Sequence, residues 1–207
     1  MASCRWLTNP QASIGSGLLL IPGLSHAHSV VKGAGDFYAG VLHPLTSLEH
    51  VLTFVALGLL AGQQGKKSEL VLPVFGLALV IGATAALWVA LPYVGLLNIV
   101  SAVLFGSLLA AAWPLPPLIF YGIAVLFGLS HGFANGSAMS EGIKPYLFVA
   151  GVGLAGLAVS AYCMMISDYL LRRKANWMHI AVRVAGSWIA AIGLLSIAIG
   201  GKAILNS

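Results

Sequence analysis

The chain has 207 residues, 59% hydrophobic and only 7% charged, with a formal net charge of +5, and its mean hydropathy is +0.98. Globular domains carry about 25% charged residues, and a soluble core of this size could not hide so much apolar surface. Composition therefore excludes a soluble enzyme, a disordered chain and a nucleic-acid binder, and makes lipid the expected solvent.

The N-terminus carries Arg5, then an apolar stretch from Ile14 to Leu24. Ser25-His26-Ala27 follows, with small residues at the −3 and −1 positions that signal peptidase accepts. Residues 1–27 therefore read as a signal peptide cleaved before His28. The alternative is an uncleaved first span, but Gly15, Gly17 and Pro22 interrupt it.

Six apolar runs follow, each near the ~20 residues that a helix needs to cross ~30 Å of hydrocarbon. They are Pro44–Gly62, Leu70–Leu91, Gly95–Trp113, Pro117–Gly136, Pro145–Leu171 and Met178–Leu205. Pro44, Pro117 and Pro145 stand near the starts of three of them, where a missing N–H is harmless. The expected fold is one all-α membrane domain over residues 28–207, with no room for a soluble catalytic domain.

Charges orient it. Lys66 and Lys67 follow the first run, and Arg172, Arg173 and Lys174 follow the fifth. Placing both loops in the cytoplasm satisfies the positive-inside rule. It also puts the mature N-terminus outside, as a cleaved signal requires. The expectation is a multi-pass plasma (inner) membrane protein with the bilayer as a partner and a second copy of itself as a further one. Asp168 is placed to pair with Arg172 at i, i+4, and Cys4 and Cys163 read as unpaired thiols.

Ionisable groups within spans are functional candidates by default. Two places concentrate them: His43-Pro44-Leu45-Thr46-Ser47-Leu48-Glu49-His50, and Ser130-His131-Gly132-Phe133-Ala134-Asn135-Gly136. At ~1.5 Å per residue, Glu49 and His50 lie roughly 8–9 Å below a helix start at Pro44, and His131 about 7–8 Å below a helix end at Gly136. Both clusters then reach one outer layer. On a straight helix His43 and His50 share a face but stand ~10 Å apart along the axis, so they need either two sites in series or a distorted first turn. His131 and Asn135, at i, i+4, could address one ion together. Gly128, Gly132 and Gly136 form a stripe that admits a close partner helix. Imidazole with carboxylate suits nickel, cobalt or zinc, and His28 would add an outer nitrogen. The competing reading is histidines that only pack helices together.

These runs resemble the HupE/UreJ membrane proteins. The first resembles their H-P-x-x-G-x-D-H signature, with Val55-Ala56-Leu57-Gly58-Leu59-Leu60-Ala61-Gly62-Gln63 following it. The second, with Phe127-Gly128-Leu129 before it, resembles F-x-H-G-x-A-H-G-x-E. The resemblance implies a nickel or cobalt permease, not an enzyme, with no permanently bound cofactor and with Ni2+ or Co2+ as the transported ion. It implies functional roles for His43, His50 and His131, with Glu49 in place of an Asp. Asn135 stands in place of the family's second His, Ala138 in place of its Glu, and Ser47 in place of its Gly. Two rival classes are weighed: a non-transporting subunit or assembly factor for a metalloenzyme, and, more remotely, an intramembrane serine protease using Ser130 with His131 and Asn135.

Overall fold

The computed structural model describes residues 35–91, 94–173 and 175–205. The signal segment 1–27 and His28 lie outside the described residues. Among those described, the chain is helical without strands: α1 (Gly35–Thr46), α2 (Leu48–Gln64), a 3-10 turn (Gly65–Ser68), α3 (Val71–Ala85), α4 (Val94–Ala111), α5 (Pro117–Ser137), α6 (Pro145–Leu171) and α7 (Asn176–Leu205).

The helices follow the apolar runs, with two corrections. Four of them, α4 to α7, are long and apolar enough to cross a membrane by themselves. Helix α3 has 15 residues, about 22 Å by the helical rise, so it is shorter than the run Leu70–Leu91 that contains it. The first run is not one helix. It starts in the last turn of α1, most of which precedes it, and continues as α2, and these two helices meet at 80°. Pro117 and Pro145 open α5 and α6 as expected, but Pro44 lies in the last turn of α1.

The bend has a local cause. Pro44 has no N–H to continue the helical ladder. Ser47 then takes an extended conformation (φ −100°, ψ 114°). The carbonyls here are met by side chains instead: Ser47 Oγ donates to His43 at 3.2 Å, and the Thr46 hydroxyl is shared between Leu42 at 3.0 Å and His43 at 3.1 Å. The Ser47 carbonyl starts α2 by accepting from the His50 and Val51 amides, both at 3.1 Å. This backbone conformation is open to any residue, so Ser47 introduces no strain.

Close backbone contacts fix the helix directions. Gly128, Gly132 and Gly136 of α5 face Phe75, Leu79 and Ala83 of α3 in the same order, so the two helices run parallel. A side chain at Gly132 would fall on the Leu79 carbonyl. Gly58 and Gly62 of α2 pair in order with Ser160 and Met164 of α6, again parallel. Gly106 of α4 meets Gly186 and Ala190 of α7, while Gly193 meets Val103 and Ile99, so this pair is antiparallel. Helices α2 to α7 thus alternate in direction. Helix α1 folds back along the start of α6, where Gly40 meets Phe148 and Gly151 meets Phe37 and Val41.

The buried centre is aromatic and aliphatic: Phe54, Leu57, Phe75, Leu79, Phe105 and Leu109 are each inaccessible. Large apolar side chains also cover the outside, among them Leu77, Ile81, Leu118, Leu126, Ile180 and Leu194. An apolar exterior around a packed apolar core identifies a membrane protein. Trp88, Trp113, Tyr146 and Trp177 are exposed near helix ends, as interfacial aromatics are. The expected Asp168–Arg172 ion pair is present at 2.7 Å, and Cys163 is an unpaired buried thiol.

Candidate functional site

The two polar clusters meet. His50 opens α2 and His131 lies in the last third of α5, and their Nδ1 atoms are 2.6 Å apart. Both rings are inside the bundle, His50 at 2% exposure and His131 at 0%. The two clusters meet as expected, although the geometry changes: Glu49 and His50 stand in the first turn of α2, not roughly 8–9 Å below a helix start at Pro44. The bend also supplies the distortion that His43 needs. Its ring centroid lies 6.5 Å from that of His50 and 6.0 Å from that of Phe148, in place of a ~10 Å axial separation.

Glu49 is on the outer side of this pair. Its carboxylate Oε1 is 3.8 Å from His50 Nε2, and its side chain keeps 35% exposure. It lines a cavity of about 290 Å³ between α2, α4 and α7, to which Ser47 and Ser196 contribute the other polar groups. Gly193 lines the α7 wall, and its missing side chain lets α7 approach Val103 of α4 closely there. A carboxylate on a cavity wall, backed by an imidazole nitrogen, offers a divalent cation an oxygen and a nitrogen.

Behind His131 stands a third partner group from α4. Ser101 Oγ lies 2.8 Å from His131 Nε2, 2.8 Å from Thr53 Oγ1 and 2.5 Å from the Asn98 carbonyl. Ser130 Oγ donates to Asn98 Oδ1 at 2.6 Å. Thr53, Asn98, Ser101 and Ser130 are all buried. Sequence reasoning missed Asn98, Ser101 and Thr53. The signal was available, because Asn98 and Ser101 interrupt an apolar run at i, i+3, and buried polar groups in spans need partners.

Asn135 does not join His131 on one target. Its Nδ2 donates back to the His131 main-chain carbonyl at 2.7 Å, and its Oδ1 is buried without a hydrogen-bond partner. Glu141, near the place of the family's Glu, is exposed in the loop after α5. The glycine stripe beside His131 packs on α3, whereas the groups that reach His131 come from α2 and α4. Among the described residues, no three His, Cys, Asp or Glu side chains converge as a metal-ligand group. The protease reading finds no geometry, because Ser130 donates to Asn98 and both His131 nitrogens are held by His50 and Ser101.

The far end of α2 and α6 forms a second, smaller cluster. Lys66, Glu69, Asp168 and Arg172 line one pocket there, and Arg173 stacks on the Tyr169 ring, 4.5 Å from its centroid. Lys66, Arg172 and Arg173, from the two basic segments singled out in the sequence, thus stand at the same end of the bundle, opposite His43, His50 and His131.

A family model described as HupE / UreJ protein matches residues 16–196. Protein HupE of Rhizobium leguminosarum bv. viciae is 25% identical over 177 residues, covering 84% of this chain and 91% of that protein. No solved structure matches the chain.

Proposed function

The chain belongs to the HupE/UreJ family, associated with nickel and cobalt uptake, and on that premise we propose that it is a secondary-type permease importing a divalent transition metal from the outer face. Nickel is the first cargo and cobalt the second. The observation that carries this reading is the Glu49–His50–His131 cluster, which lies between α2 and α5 and adjoins a cavity at Glu49. Glu49 draws the cation from the cavity, and His50 supplies the first imidazole nitrogen. His43, brought near by the α1–α2 bend, is within reach of an ion leaving or entering that pair. His28 would add a donor ahead of them. A permeating ion must be released as well as bound, and a site of few ligands suits that need better than a closed cage.

The membrane arrangement belongs to the same proposal. Six spans, with α1 and α2 as the broken first and α3 as a short second, agree with the alternating helix directions. The basic end faces the cytoplasm under the positive-inside rule, and the histidine end faces outward after signal cleavage. The metal enters as substrate, with no resident cofactor.

Nickel accumulation in cells with and without the protein tests the reading. Accumulation that depends on the protein, and that falls at least tenfold in His50→Ala at equal protein level, supports transport. Nickel binding by the purified protein without any accumulation would make it an assembly factor or subunit.

A further inference from the structure

We propose that Ser101 is a positioning residue for the metal site: acting through His131, it holds His50 in the tautomer with its proton on Nδ1 and its lone pair on Nε2, beside Glu49. The hydrogen-bond assignment stands on geometry alone, and its use in metal binding rests on the permease reading above.

The argument starts at a group that can only accept. The Asn98 main-chain oxygen is 2.5 Å from Ser101 Oγ, and two oxygens this close need a proton between them. The single Ser101 proton is therefore committed to that carbonyl. Ser101 Oγ must accept from its two other partners, Thr53 Oγ1 and His131 Nε2, each at 2.8 Å. His131 then carries its proton on Nε2. Desolvation disfavours an ionised ring with no exposure and no carboxylate in contact, so His131 is neutral and its Nδ1 is a lone pair. His50 Nδ1, 2.6 Å away, must donate to it. This direction holds whether the His50 ring is neutral or charged. In the neutral ring, Nε2 keeps the lone pair.

Two consequences follow for an arriving ion. His131 has no free nitrogen, so it supports His50 and is not a ligand. His50 presents an unprotonated nitrogen 3.8 Å from Glu49 Oε1, and one ion at ~2.1 Å from each ligand can bridge atoms up to ~4.2 Å apart. A metal-bound histidine characteristically donates its other N–H to a neighbouring group that fixes its tautomer, and losing such support typically costs about 10–100-fold in metal affinity. Here the support runs from α4 through α5 to α2.

The test uses the full chain, purified in detergent and labelled with 15N-histidine. Nitrogen chemical shifts separate protonated from unprotonated ring nitrogens, and loss of signals in His50→Gln or His131→Gln assigns them. Without metal, the wild type should show His50 protonated on Nδ1 and His131 on Nε2. Ser101→Ala should turn His131 into a mixture of tautomers and weaken nickel binding about 10–100-fold. Ser101→Thr, which keeps a hydroxyl, should restore both. A wild-type His50 proton on Nε2, or histidine shifts unmoved by Ser101→Ala, overturns the assignment. The wild-type spectrum decides the tautomer even where a variant fails to fold. The expected spectrum from a protein that binds no nickel would leave the assignment standing and remove the permease reading.

Discussion

His50 and His131 stand 81 residues apart in the chain and are joined by an Nδ1–Nδ1 contact of 2.6 Å. The contact ties the first turn of α2 to the last third of α5, and each ring has a different second partner. His50 faces Glu49, which lines the cavity, while His131 faces Ser101 and the interior. One imidazole thus adjoins a half-exposed carboxylate, and the other is enclosed by polar groups of the bundle.

That difference separates the two histidines experimentally. Glu49→Gln keeps the shape of the side chain and removes its charge. It should reduce nickel accumulation at least tenfold with the melting temperature unchanged. His131→Ala should reduce accumulation as well, and should also destabilise the protein. It leaves the His50 N–H and the Thr53–Ser101 pair short of a buried partner, an effect of about 1–3 kcal/mol. Thermal unfolding in detergent beside uptake of radioactive nickel reads both, and normal uptake in either variant removes it from the site.

The α3–α5 seam should be intolerant at Gly132. Even Gly132→Ala puts a methyl group on the Leu79 carbonyl, so α3 and α5 must separate, and folded yield should fall severalfold. Gly122, on the same helix, has open space where a Cβ would stand. Gly122→Ala should be neutral or stabilising by about 0.5–1 kcal/mol. Monodisperse protein recovered from each variant provides the comparison.

Asn135→His restores the residue type of the family pattern. The Asn135 amide is turned to its own helix backbone, so the new ring starts outside the Glu49–His50 pair. Nickel, cobalt and zinc affinities should stay within about threefold of wild type by isothermal titration. A tenfold gain for nickel would show that position 135 reaches the ion.

Orientation can be read with single cysteines in a background where Cys4 and Cys163 are alanine. Lys66, Asn176 and Ser140 are exposed. Cysteines at Lys66 and Asn176 should be shielded from an impermeant thiol reagent in intact cells, and one at Ser140 should be labelled. Gln64 is a poorer position, because its side chain bonds Trp113 and Leu115. Labelling at Lys66 from outside would invert the proposed topology.

Much of the fold was legible in the chain because lipid imposes a simple rule. Every backbone polar group in hydrocarbon must be satisfied within its own segment, so long apolar runs become helices. Run Pro145–Leu171 and helix α6 have the same bounds. The ionisable residues stood out for the same reason, although the depth count started from Pro44 and the structure starts α2 at Leu48. Tertiary structure decided the rest. The α1–α2 bend depends on where the Thr46 and Ser47 hydroxyls go, and periodicity cannot see that choice between side-chain and ladder hydrogen bonds. Whether Asn135 or Ser101 accompanies His131 depends on which helix packs against which face of α5. Nearly uniform hydrophobicity hides that face, since helices between lipid and protein are apolar all round. Close approach of glycine backbones selected α3 for one face. It left His131 to α2 and α4, from which His50 and Ser101 reach its two ring nitrogens.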